Sequence, residues 1–196
     1  MGNQFTELLI KACEKGNTEN VRILIDKGAD ANVTDANGST PLIITCMFGF
    51  ADIARLLVDS GAQLDVKNKS GGTPLLYACM RGHLGVARLL AARGADVNVR
   101  DNNGDTPILL ASRNGHIDIV KLLAEYNPDI NIQDKFGNTP LINACLRMFT
   151  GIASFLIEKG ADLTVTNKDN KNALDIATKM RLENVISSMK KRDQKR

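Results

Sequence analysis

Four independent markers recur in this chain at a single interval. The dipeptide Thr-Pro begins at Thr40, Thr73, Thr106 and Thr139, each step being 33 residues. A Gly-Ala pair begins at Gly28, Gly61, Gly94 and Gly160, with Asn127-Pro128 in the missing step. One glycine series falls at Gly38, Gly71, Gly104 and Gly137, and another at Gly16, Gly49, Gly82 and Gly115. Such a period marks a repeat architecture, in which each unit is one supersecondary element.

The third unit shows what that element is. Thr73 suits the position before a helix, and Pro74 suits the first helical residue, where its missing N–H costs nothing. A short helix runs through "LLYACMR", and Gly82 can take the left-handed conformation that ends it. A second helix follows with Val86, Leu89 and Leu90 on one face. The same face is Ile53, Leu56 and Leu57 one unit earlier, and Ile119, Leu122 and Leu123 one unit later. Gly94 stops this helix, and "ADVNVRDNNGD" supplies a hairpin-like connector around a glycine turn. Each helix is shorter than the ~12–15 residues an isolated helix needs in water. No unit can stand alone, so the sequence predicts an all-α repeat solenoid: stacked helix-turn-helix units joined by β-hairpin-like loops.

These residues resemble the ankyrin repeat, with its Thr-Pro-Leu, paired small residues, Gly-His, aliphatic Val-x-x-Leu-Leu and Gly-Ala-Asp. The clearest copies are "TPLLYACMRGHLGVARLLAARGAD" and "TPILLASRNGHIDIVKLLAEYNPD". The resemblance covers essentially the whole chain as one ankyrin-repeat domain. Residues 1–33 read as an N-terminal capping repeat without an entry hairpin, and 34–66, 67–99, 100–132 and 133–165 as internal repeats. Residues 166–190 read as a C-terminal capping repeat, in which Asn172-Ala173 replaces Thr-Pro, followed by a basic tail at 191–196. The terminal repeat ends in charge, as a solvated outer face requires.

Composition narrows the function classes. Apolar residues are 43% and charged ones 24%, the balance of a folded, water-soluble chain. Aromatic residues are only 4%, with no Trp, which argues against a nucleic-acid platform of stacked rings. The formal charge of +3 is local: "KKRDQKR" carries +4, leaving about −1 elsewhere and no broad basic face. No apolar run is long enough to cross a bilayer, and no charged-then-apolar leader is expected. The opening "MGNQFT" fits the permissive pattern for an acylated Gly2, although Gly2 and Asn3 equally well precede a helix.

Cys79 and His83 stand four residues apart on one helical face, the spacing of a thiol–imidazole pair or half a metal site. The period gives the plainer reading. Cys13, Cys46, Cys79 and Cys145 share one slot with Ser112 and Thr178, each the second of a small pair. In ankyrin repeats that slot is usually Ala, which lets adjacent first helices approach. Packed helices lie about 8–10 Å apart, beyond the ~7 Å that a disulfide spans. Four free thiols are therefore expected, in a reducing compartment, with no zinc site. His83 and His116 share their slot with Phe50 and Phe149, which marks a packing or turn-bracing position.

Nothing else assembles a catalytic constellation. The chain has no phosphate-cradling Gly-x-x-x-x-Gly-Lys-Ser/Thr, no His-Glu-x-x-His and no Gly-x-Ser-x-Gly. Asp30, Asp96, Asp129 and Asp162 recur with the period and read as turn-capping residues, with Asp65 a local variation. "DNNGD" at 101–105 lacks the downstream Glu of a calcium loop, Ser112 standing there. No catalytic residue, metal or other cofactor is predicted, and the chain is not expected to be an enzyme.

The resemblance implies a non-catalytic interaction scaffold that docks a partner protein on the concave face of hairpin tips and first helices. The variable residues there are Lys69, Asn102, Asn103, Asp105 and Phe136 at the tips. At the helix ends they are Met47, Phe48, Met80, Arg81, Arg113, Asn114, Leu146 and Arg147. Apolar anchors among arginines have the composition of binding hot spots, and an acidic, partly hydrophobic protein segment is the expected partner of a monomer. Scattered exposed apolar residues also occur with no such role. A small-molecule substrate or nucleic acid is not expected. The setting is expected to be cytoplasmic, or nuclear if the basic tail directs it there. The alternative is a membrane-associated adaptor anchored through Gly2.

Three departures from the family pattern carry expectations. Ile43, Leu76, Leu109 and Ile142 replace the His after Thr-Pro-Leu, so its hydrogen bonds must give way to apolar contact. Met148 stands in a glycine slot, where left-handed backbone costs a non-glycine residue about 1–2 kcal/mol, so a run-on helix or distorted turn is expected. Asn143 occupies a slot shared by Ile44, Tyr77 and Leu110, and needs a partner if buried.

Overall fold

The computed structural model of the chain describes residues 2–194. Met1 of the opening motif, and Lys195 and Arg196 of the basic tail, lie outside the described residues. Two compact units divide the chain, Met1–Asn102 and Asn103–Arg196, each built from helix pairs. The first holds α1 (Gly2–Glu14), α2 (Thr18–Asp26), α3 (Pro41–Phe48), α4 (Ala51–Asp59), α5 (Pro74–Arg81) and α6 (Leu84–Ala92). The second holds α7 (Pro107–Asn114), α8 (Ile117–Ala124), α9 (Pro140–Leu146), α10 (Thr150–Glu158), α11 (Ala173–Lys179) and α12 (Glu183–Asp193). In the first unit, first helices pack in the order α1, α3, α5 and second helices in the order α2, α4, α6. The second unit repeats this with α7, α9, α11 and α8, α10, α12. This is an all-helical repeat solenoid.

The helices begin where the sequence places them. Thr40, Thr73 and Thr139 accept at Oγ1 from the backbone N–H of Ile43, Leu76 and Ile142, at 3.2, 3.4 and 3.2 Å. Each such cap is worth about 1 kcal/mol. Thr106 begins α7 without that bond. The last repeat has lost Thr-Pro and substitutes a capping box: Asn172 accepts from Asp175 N–H at 2.9 Å, and Asp175 accepts from Asn172 N–H at 3.1 Å. The slot that lost its histidine is filled by apolar contact. Ile43, Leu76, Leu109 and Ile142 are all at most 2% exposed, each contributing roughly 1.5–3 kcal/mol by burial.

The expectation of a run-on helix at Met148 is corrected. α9 stops at Leu146, and Met148 takes the left-handed conformation with φ +60°. Its turn keeps the bond pattern of its glycine counterparts: Phe149 N–H donates to Ala144 O at 2.9 Å, as His83 N–H does to Ala78 O at 3.0 Å. Arg181, Asn127 and Asn170 also have positive φ, and each stands in a periodic glycine slot. Packing of two helices sets the turn, and its gain exceeds the cost at one residue.

In the Gly-His register a glycine is required for a second reason. A Cβ on Gly16 would stand 2.7 Å from the Phe50 ring, and one on Gly115 would stand 2.8 Å from Phe149. The His83 ring occupies the equivalent space against Gly49. The Gly-His slot thus braces the preceding repeat by ring-on-backbone contact, and in the last repeat the ring gives way to Leu182, facing in register the turn of Met148.

No strand forms among the described residues; the connectors are turns, four of which are pinned by an Asp or Asn side chain. Asp35 Oδ1 accepts from the N–H of Asn37 and Ser39 at 2.8 and 2.7 Å. Asn68, Asp134 and Asn167 do the same with their own turns. Neighbouring tips are linked through backbone, Lys69 N–H donating to Asn37 O at 3.0 Å and Lys168 N–H to Phe136 O at 3.0 Å. Asp65 is not a local variation. It accepts the Asp96 N–H of the next repeat at 3.1 Å, as Asn32 accepts from Gln63 and Asn131 from Asp162.

At the far end α12 runs to Asp193, so Lys191 and Arg192 of the expected tail are helical. Arg192 is half-buried and donates from Nη1 to Ile157 O at 3.0 Å.

Candidate functional site

The four thiols are free and buried. Burial pushes Cys13 up to about 11 and Cys145 up to about 12, and raises Cys46 and Cys79 further in the same direction. A nucleophilic or metal-binding cysteine needs the opposite shift, toward thiolate near neutral pH. Cys79 is fully buried, and His83 turns elsewhere, its Nε2 lying 3.3 Å from Met47 O, where a protonated Nε2 donates to that carbonyl. Asp30, Asp96 and Asp162 each accept a backbone N–H two residues on, at 2.9, 2.8 and 2.8 Å, which is turn capping. Among the described residues no three His, Cys, Asp or Glu side chains gather as a metal would need. None of their helices is long and apolar enough to cross a membrane.

What remains are the surfaces formed by turn tips and first helices. In the first unit Phe48 is 52% exposed and stacks on Phe50, with centroids 5.9 Å apart and planes 20° apart. Met47 and Met80 are half-buried, whereas Arg81, Lys69 and Asn102 are exposed. The Asn102 amide is already engaged, donating to Lys69 O at 3.0 Å. In the second unit Phe136 is 56% exposed at its tip, with Lys135 Nζ 5.2 Å from the ring centroid. Leu146 is 40% exposed, and Arg147 and Asn103 are exposed.

Of two residues expected on the solvent-facing rim, Asp105 is placed inside and Arg113 is half-buried. Asp105 is 5% exposed and holds Arg113 bidentately, at 2.6 Å from Nη2 and 3.0 Å from Nη1. A second buried carboxylate, Asp134, lies 4.0 Å from Arg113 Nη1 and accepts from Asn143 Nδ2 at 3.0 Å. The buried Asn143 thereby finds the partner its burial demands. Asn114 folds back on its own helix, donating to Leu110 O at 2.8 Å. Arg113 and Asp105 thus spend their charges on each other and tie the fourth repeat to the fifth.

The surface also holds a groove that the sequence reading passed over. It is about 470 Å³, with Leu146, Leu174, Ile176 and Met180 as apolar lining and Lys171 and Lys179 as cationic lining. Most of these residues belong to the last repeat, whose lost Thr-Pro marks it as a cap and drew attention away from its surface. The available signal was the column of variable positions at the end of each first helix, which puts Lys179 in register with Leu146.

Fold and surface together define a helical repeat solenoid whose exposed chemistry lies on turns and first helices. Comparison with protein families agrees: a model described as ankyrin repeats in three copies matches residues 8–101 and again 61–134. One described as ankyrin repeats in many copies matches residues 122–177. The chain belongs to the ankyrin-repeat family, whose members are in general protein–protein interaction modules and in general not catalytic. Among curated proteins no sequence match is found.

Proposed function

We propose that this protein is a non-catalytic scaffold that binds a partner protein through its turn tips and first helices. The observation that carries this reading is the placement of large apolar side chains in solvent beside unpaired cations. Phe48 lies beside Met47 at the end of α3, and Arg81 occupies Phe48's position in the next repeat. Leu146 precedes Arg147 at the end of α9. Apolar anchors ringed by Arg are what interface hot spots are made of. The partner that fits is an acidic, partly hydrophobic protein segment met by a monomer in a cytoplasmic or nuclear setting.

Affinity capture from the native host identifies the partner. Arg81→Glu in the first unit and Arg147→Glu in the second are each expected to weaken it by about tenfold. Unchanged affinity in both would sink the reading. The alternative, an adaptor anchored through an acylated Gly2, rests on the opening pattern alone, and mass spectrometry of the native N terminus decides it.

A further inference from the structure

The groove beside α11 carries a more specific assignment. Its floor is apolar, formed by Leu146, Leu174, Ile176 and Met180, and its volume of about 470 Å³ suits anchoring side chains. Two lysines, Lys171 and Lys179, line it directly. Three further cations adjoin its lining in sequence: Arg147 follows Leu146, Lys168 stands between Asn167 and Asp169, and Arg181 follows Met180.

Against these five stand two carboxylates, Asp169 and Asp175, and the Asn172 N–H engages Asp175 at 3.1 Å. Among the described residues no ion pair neutralises any of the five cations. Elsewhere in the unit, Asp105 and Asp134 are buried around Arg113. The lining itself is balanced, Lys171 and Lys179 against Asp169 and Asp175, and the three adjoining cations give the surroundings of the apolar floor a net positive charge.

The other large hollow differs in kind. It lies between α1 and the following turn, is about 490 Å³, and is lined by Glu7, Lys11, Glu14 and Asp35, with Lys11 already paired to Glu7 at 2.6 Å. That lining is net acidic.

We infer that the groove formed by Leu146, Leu174, Ile176 and Met180 under Lys171 and Lys179 binds an acidic peptide segment of a partner protein, with apolar anchors between its carboxylates. This deepens the scaffold reading and rests on it. The apolar floor supplies affinity, and the cations supply orientation and encounter rate. A nucleic acid would satisfy the rim but leave the apolar floor unfilled. A second copy of this chain is the remaining occupant.

The test uses the full chain and a displayed library of random linear peptides, with selected sequences measured by fluorescence anisotropy. Selection is expected to return peptides rich in Asp and Glu with Leu or Phe between them. Their binding is expected to fall about tenfold in Leu146→Asp, and likewise in the pair Lys171→Glu with Lys179→Glu, and to weaken as salt rises. Circular dichroism and melting of each variant confirm an unchanged fold. Recovery of no peptide, recovery of neutral or basic ones, or binding unaffected by either variant overturns the assignment. So does tighter binding of single-stranded DNA than of any selected peptide, or concentration-dependent self-association that Leu146→Asp abolishes. If capture of the native partner depends on Arg81 while the groove variants leave it intact, this assignment falls and the scaffold reading stands. If no protein partner is captured by any form of the chain, the scaffold reading itself falls.

Discussion

Arg113 clasps Asp105 through both terminal guanidinium nitrogens, at 2.6 and 3.0 Å, although eight residues and a helix start separate them. Asp105 belongs to the turn and Arg113 to the last turn of α7, so the pair staples the connector onto its helix. The same arginine approaches Asp134 of the next repeat at 4.0 Å, and Asp134 in turn holds Asn143.

Replacing Arg113 by Met leaves two buried carboxylates without their cation. Breaking a buried pair from one side typically costs about 3–5 kcal/mol, and Arg113 is a quarter exposed, so about 2 kcal/mol is the expected loss. Urea unfolding of Arg113→Met, Asp105→Asn and the double variant checks this. The double is expected to be less destabilised than the sum of the singles, because the remaining partner no longer carries an unpaired charge. Strict additivity would show that the pair does not couple.

Met148 sits at φ +60° with 59% of its surface exposed, so it contributes strain and little burial. Met148→Gly removes a penalty of about 1–2 kcal/mol and adds back about 0.4–1 kcal/mol of unfolded-chain entropy. A net gain of about 0.5–1 kcal/mol is expected from the same two principles, read as a raised urea midpoint. Met148→Val, β-branched in the same conformation, is expected to move it the other way.

Burial holds the thiols protonated beyond their ordinary range, which makes a signed prediction. A thiol whose folded pKa exceeds its unfolded value near 9 contributes stability in full below that pH. The contribution is lost as pH rises toward about 11 for Cys13 and about 12 for Cys145. Stability is therefore expected to decline from pH 9 upward, with a shallower slope in Cys145→Ala, measured by urea unfolding across that window. At neutral pH the four native thiols should resist a disulfide reagent and react together once denatured. Fast modification of Cys79 in the folded chain would contradict its burial.

Much of the molecule was legible because a repeat states each of its rules several times. Thr-Pro fixes where first helices start, the glycine series fixes where they end, and the cysteine slot reads as packing because Ser112 shares it. A column of Asp and Asn pins turns at positions 35, 68, 134 and 167, with Asp101 at the same period, and was there to be read. It escaped notice because Asp35 and its successors precede the variable tip and resemble ordinary loop polarity.

Periodicity alone determined the architecture: short amphipathic helices that cannot persist singly must stack, and the stacking direction forces left-handed turns at fixed slots. Tertiary structure alone decided what individual polar and charged residues do inside that frame. Met148 yields to the turn because two packed helices outweigh one strained residue. Arg113 points inward because Asp105 and Asp134 are buried within its reach, whereas Arg147, Lys171 and Lys179 form no ion pair among the described residues. Spacing along the chain reports which face a residue occupies, and only proximity in space reports whether its charge is already spent.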